Sequence, residues 1–447
     1  MTTSRFRFVL ILFVPVIIFL KIAHVDRIFD IPCNYYLWLI FFFFLLLRHI
    51  FFRFPIYNEG LNHFVFILFI FCFINFLAHD YSSTLFLKRF GIFMVFLFIP
   101  AIVSHSFGVQ RNTDYLLIYH QVVFVLALSF LFLFIIGYTR DGFYLPGSNR
   151  NAVVFLFTPT FCYFWQYRQK EGILKLLILT FFIFTTLSRA VFILLGLSFI
   201  YELIFSRKPL SSGVKKMFDV SSSQESVVRL ARRLRLPILT IIPVVSLAVY
   251  FMTQFNPGIK QSFNRLPNVL TGRLYLENIP RTESDGRRST LMTQAKKSIM
   301  ESPFFGVGFG GFLPYLNQFH HERYHLALPH SLPLTLLAEN GILGTVLIIF
   351  IYSLLYKDAL LLSYFRNANR MTFFIIFGIS MGNEYLITSP WFYLWLGLVT
   401  VKPQFLKRYG ITLQEVDDHY KEYDRFNLTE YLRRRMTNPN YAGTYKE

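Results

Sequence analysis

Charge is scarce in this chain. Of 447 residues only 15% are Asp, Glu, Lys or Arg, against about 25% in ordinary soluble domains, and acids are the scarcer half, 25 against 44 Lys and Arg. With 54% hydrophobic and 19% aromatic residues and a positive mean hydropathy, a soluble globular domain is excluded. Cysteine is nearly missing too. Cys33, Cys72 and Cys162 lie far apart and show neither disulfide nor metal spacing. No internal repeat occurs. The basic, apolar start "RFRFVLILFVPVIIFLKIA" lacks a small-x-small cleavage site, so it is expected to stay in place as a first membrane span.

What is present is a series of long apolar runs. A helix rises 1.5 Å per residue and the hydrocarbon core is about 30 Å thick, so a span needs roughly 17–25 mainly apolar residues. Runs centre on Phe8 to Leu20, Tyr35 to Leu47, Phe64 to Ala78, Phe90 to Val103, Leu116 to Tyr138, Ala152 to Trp165 and Ile173 to Leu187. Five more centre on Ala190 to Phe205, Ile238 to Met252, Leu332 to Tyr356, Thr372 to Met381 and Tyr385 to Val401. The expected fold class is therefore all-α, a polytopic membrane protein with about twelve transmembrane helices.

The net charge of +19 then reports topology, because Lys and Arg gather in cytoplasmic loops; no nucleic-acid partner is expected. The strongest signal is the stretch from Arg207 to Pro237, with eight basic residues against two acids. Placing it inside puts both termini in the cytoplasm. The expected organisation is 1–252 for nine spans including the basic cytoplasmic loop 206–237, one large periplasmic loop 253–330, three spans in 331–401, and a cytoplasmic tail 402–447.

In the outer loop stands HERYH, residues 321–325, the histidine pair with glutamate that binds zinc when a helix brings both rings to one face. Pro314 and Pro329 leave room for a short helix only, and Arg323 would set a cation between the ligands. Neither His320 nor His330 supplies the spacing of the longer zinc-protease patterns. These histidines are better read as lining a polar outer surface.

Other residues carry chemistry more naturally. His330 precedes the span beginning at Leu332, with Ser331 as a helix N-cap, and a neutral imidazole there can accept a hydroxyl proton. Glu339, two turns further, is an ionisable group in apolar surroundings, by default functional or paired. Gly341 and Gly344 permit close packing. Arg189 is the one basic residue between Lys175 and Arg207, at an expected outer hairpin tip. In "ESDGRRSTLMTQAKKSIMESPFFGVGFGGF", Arg287 and Arg288 open an expected helix ending before Pro303, and glycines at 306, 308, 310 and 311 follow as a turn-rich stretch. Guanidinium forks bind phosphate oxygens bidentately, so these arginines suit a pyrophosphate head at the membrane surface.

"TTLSRAVFILLGL", "GRRSTLMTQAKKSIMESPFFGVGFGGF" and "HSLPLTLLAENGILG" resemble, in order, three signatures of the O-antigen ligase/polymerase superfamily of bacterial membrane glycosyltransferases. "LPGSNRNAVVF" is similar to a further stretch of that family. The likeness runs from about Leu145 to Met381. It implies a GT-C-like architecture in the inner membrane and transfer of a glycan from undecaprenyl pyrophosphate at the periplasmic face. The same resemblance implies Arg189 and Arg287 on the pyrophosphate, with Arg288 and Arg281 as further substrate-binding candidates, and His330 assisting the acceptor hydroxyl; Glu339, as an ionisable group in apolar surroundings, is expected among the substrate-binding residues. The implied partners are the lipid-linked oligosaccharide donor, a glycan or lipid A core acceptor, membrane lipids and, as a candidate, a chain-length regulator.

The family holds both polymerases and ligases. The 56 Phe and abundant Tyr, Ile and Lys lean slightly to polymerase. The alternatives are a flippase for the same lipid-linked unit, which would scatter charges through several spans, and a membrane zinc metalloprotease. No outer DxD pair for a divalent ion occurs, "VDD" at 416–418 falling in the expected cytoplasmic tail, so no cofactor and a metal-independent transfer are expected. Activity titrated with EDTA should persist; loss restored by a divalent metal would contradict this.

Overall fold

Lipid offers a backbone no hydrogen-bond partner, so an apolar chain closes its bonds within itself as helix. The structure, a computed structural model, describes residues 59–78, 112–135, 150–167, 173–185, 190–205, 283–319, 331–361, 366–381 and 390–399, with short pieces between residues 7 and 47 and at 91 and 93. Its helices are α1 (Glu59–Ala78), α2 (Asn112–Ile135), α3 (Arg150–Gln166), α4 (Ile173–Thr185) and α5 (Ala190–Phe205). They continue as α6 (Glu283–Glu301), α7 (Phe312–Phe319), α8 (Leu332–Leu361), α9 (Arg366–Ser380) and α10 (Pro390–Val399). Among the described residues the strands are an antiparallel ladder of two residues each, β1 (Arg27–Ile28) and β2 (Ile31–Pro32). Eight helices fall on expected apolar segments; of the expected spans Phe8 to Leu20, Tyr35 to Leu47 and Phe90 to Val103 only scattered residues are described, and Ile238 to Met252 lies outside the described residues. Two stretches, Tyr115–Leu133 and Leu332–Leu355, are long and apolar enough to cross a membrane by themselves.

Helix α1 shows how such a sequence chooses its faces. Val65, Leu68, Cys72 and Asn75 are buried, spaced three or four apart, whereas Phe66, Ile67, Phe69, Ile70, Phe73, Ile74 and Leu77 are exposed. In water that outer surface would be an aggregation hazard; against acyl chains it is the solvated face. Both faces are apolar, so hydropathy alone does not separate them. Within the run from Phe64 to Ala78, Cys72 and Asn75 do, the Asn75 amide needing a protein partner. Elsewhere hydroxyls satisfy themselves on the preceding turn: Thr158 donates to the Val154 carbonyl at 2.7 Å, Thr180 to Leu176, Ser198 to Leu194 and Thr372 to Ala368.

The bundle is laid round α10, whose residues 391–399 are all buried against α2, α3 and α8. Helix α3 packs on α2, α4, α5 and α9, and α9 reaches both α5 and α8. At one level inside, His120 of α2 stacks on Tyr163 of α3 with centroids 4.4 Å apart, its Nδ1 lying 3.1 Å from Thr160 Oγ1. Nearby, Tyr119 faces Trp391, and the Tyr352 and Tyr393 hydroxyls join α8 to α10. One end of the bundle is tied by Glu202, whose Oε2 accepts from Trp165 Nε1 and Gln166 Nε2, each at 3.4 Å. Gln166 also reaches Met371 Sδ at 3.2 Å. The ends of α3 and α5 and the start of α9 therefore lie level.

The hydroxyl pair generates a stability prediction. Tyr393→Phe leaves the Tyr352 hydroxyl buried without that partner and should destabilise the detergent-solubilised protein by about 1–3 kcal/mol. The double change to Phe should cost less than the single one, both read as shifts in thermal midpoint.

Candidate functional site

Helix α8 is interrupted at Gly341, where φ is 59° and ψ is −168°. That conformation is open almost only to glycine. A break strands backbone groups, and in this helix the turn Pro303–Val307 takes them up. The Ile342 and Leu343 amides donate to the Pro303 and Phe304 carbonyls at 2.8 and 3.2 Å, and the Val307 amide donates to the Ala338 carbonyl at 2.9 Å. Non-helical backbone at membrane depth survives where protein covers it in this way.

The contact is backbone on backbone. A Cβ on Gly341 would lie 2.3 Å from the Phe304 carbonyl carbon and oxygen, and one on Gly306 (φ 69°) would lie 2.5 Å from the Glu339 carbonyl carbon and the Gly341 nitrogen. The close packing expected at Gly341 is thus made with a turn rather than with a neighbouring helix. Gly344 admits α1 instead: a Cβ there would meet the Phe71 ring at 2.5 Å. The turn closes on itself through the Ser302 hydroxyl, which donates to the Gly306 carbonyl at 2.8 Å, and the Gly311 amide, which donates to Gly308.

Polar groups collect at this crossing. Glu339 and Asn340 are 2% and 1% exposed, just before the break, and Glu339 lies within electrostatic reach of Cys72 on α1. Asn75, also on α1, donates from Nδ2 to the Phe305 carbonyl at 2.6 Å. Among the described residues neither amide atom of Asn340 nor the Thr345 hydroxyl has a hydrogen-bond partner.

Outside the break, α6 and α7 form a second small core on the first turns of α8. Leu291, Ala295, Val307, Phe312, Tyr315, Leu316 and Ala338 pack together, and the Tyr315 hydroxyl donates to Glu301 Oε2 at 2.7 Å. Arg287 and Arg288 stand in the first two turns of α6, four and three residues before buried Leu291. The helix ends at Glu301, before Pro303, as its sequence indicates. Ser331 caps α8 through its carbonyl, which accepts from the Thr335 amide at 2.9 Å. Arg189, Arg281, His330 and the HERYH stretch lie outside the described residues; α5 begins one residue after Arg189, and Ser331 follows His330 directly. The helices adjoining Arg287 and His330 are therefore packed on each other, while α5 joins them through α9.

Sequence reasoning missed Asn75, Asn340 and the turn at 303–307. An isolated amide in the apolar run of α1, and a Glu-Asn pair in the apolar run of α8, were the available signals.

A family model described as O-antigen ligase matches residues 174–349. That range takes in α4, α5, α6, α7, the glycine turn and the broken helix, and leaves α1 outside. No curated protein matches the chain.

Gly341→Ala should cost about 1–3 kcal/mol in backbone strain, with the overlap against Phe304 added, and so lower the thermal midpoint in detergent. Gly196→Ala on α5, where a Cβ meets nothing within 4 Å, should leave that midpoint unchanged or raised.

Proposed function

We propose that this chain, whose residues 174–349 match a family model described as O-antigen ligase, transfers a glycan from undecaprenyl pyrophosphate to a sugar hydroxyl at the periplasmic face of a bacterial inner membrane. That it is a membrane protein of ligase or polymerase type follows from the family. The donor, the side of the membrane, about twelve spans and the GT-C-like architecture belong to this reading.

The observation that carries it is the packing of α6, with Arg287 and Arg288 in its first turns, onto the start of α8, which directly follows His330. Cations on one element and a base at the mouth of its neighbour are the two things this transfer needs. The acceptor oxygen attacks the anomeric carbon, the bond from that carbon to the pyrophosphate oxygen breaks, and configuration inverts. His330 takes the proton from the acceptor hydroxyl. Arg287, with Arg189 and either Arg288 or Arg281, matches the charge growing on the departing pyrophosphate, as preorganised donors do. No metal ion is needed for either task.

Polymerase and ligase differ in the acceptor alone, and composition leans to polymerase. Purified protein reconstituted with lipid-linked repeat units should give a ladder of polymer without added lipid A core; product only when that core is present would make it a ligase. His330→Ala should lower transfer by roughly 10²–10⁴-fold. Movement of lipid-linked units across the bilayer by a His330→Ala protein, with no transfer by the wild type, would favour a flippase instead.

A further inference from the structure

The glycine turn is also contacted from outside the matched region, by Asn75 and Phe71 of α1. We infer that Asn75, on α1 and outside residues 174–349, is a positioning residue for the transfer site, acting through the Phe305 carbonyl. This rests on the function proposed above.

Asn75 is 3% exposed in a helix whose remaining residues from Phe64 to Ala78 are apolar. An amide there is costly unless it is bonded, and its Nδ2 donates to Phe305 at 2.6 Å. Phe305 is the turn residue between Phe304, whose carbonyl takes the Leu343 amide, and Gly306, which touches Glu339 and Gly341. The same helix grips the turn a second time, Phe71 stacking on the Phe305 ring with centroids 6.1 Å apart. One side-chain amide therefore fixes the middle of the segment that fills the break in α8. That segment continues α6 directly, so its seating sets the height of Arg287 and Arg288 along α6 against the start of α8. Losing it displaces groups that act on the transition state, and a misplacement of about 1 Å costs on the order of 10²-fold in rate.

The test uses the full chain in lipid nanodiscs, with Asn75→Leu, which removes the donor at similar volume, and Asn75→Gln, which keeps it. Two measurements are made: hydrogen exchange at the Val307, Ile342 and Leu343 amides, and steady-state transfer with lipid-linked repeat units. The expected result for Asn75→Leu is faster exchange at those three amides, unchanged exchange in α2, and kcat lower by roughly 10- to 100-fold with donor KM within about threefold. Asn75→Gln should restore protection and kcat together. Unchanged exchange in Asn75→Leu overturns the inference, as does faster exchange with unchanged kcat, a loss confined to KM, or a Gln variant that restores only one property or neither. A wild-type protein that transfers no glycan refutes the proposed function separately, and the exchange measurement still decides whether Asn75 seats the turn.

Discussion

Everything around the start of α8 depends on one constraint: a helix broken in apolar surroundings must find other partners for the backbone groups that the break exposes. At Gly341 they are found in the Pro303–Val307 turn, through three backbone hydrogen bonds. The exchange fixes more than the break. Since the turn is the continuation of α6, docking it onto α8 also fixes where α6 lies, and the small core of Leu291, Ala295, Phe312 and Ala338 completes that seating. Hydrogen bonds of this kind are directional, unlike apolar packing between lipid-facing helices, which carries little orientational information.

The same constraint explains where polar side chains appear. In α1 both faces are apolar, and Asn75 and Cys72 mark the buried one. In α3, Pro159 removes an amide donor inside the helix, and the hydroxyls beside it go to Val154 and to His120. Around α10, the Tyr352 and Tyr393 hydroxyls satisfy each other. Several polar groups thus tie two elements whose apolar surfaces would accept several registers: Asn75 joins α1 to the turn, His120 joins α2 to α3, and Tyr352 joins α8 to α10. Beside Glu339 at the break, Asn340 and Thr345 find no hydrogen-bonding partner among the described residues, nor do the Tyr119 hydroxyl and Trp395 Nε1 elsewhere in the bundle.

Much of the helix plan was legible from the chain because length and hydropathy are local properties. The apolar run at Leu332, the arginine helix ending before Pro303 and the turn-rich glycines all occur where local chemistry puts them. The interruption of α8 was not legible. "AENGILG" reads as a helix containing two glycines, and glycine within an apolar run is compatible with close packing, a kink or neither. The choice was made by a turn some 35 residues earlier in the chain, whose carbonyls happen to meet the amides of Ile342 and Leu343. Asn75 was invisible for the same reason, its partner lying 230 residues away.

By itself the sequence determined that this is a helical membrane protein, which segments coil, and which residue types suit pyrophosphate and a hydroxyl proton, since apolar length and side-chain chemistry belong to each segment alone. Only the tertiary structure decided that α8 is broken, that α6 rests on its first turns, and that α1 holds the joint. Those outcomes turn on backbone groups that every residue possesses alike, and which of them pair is settled by the approach of distant segments rather than by the identity of any one.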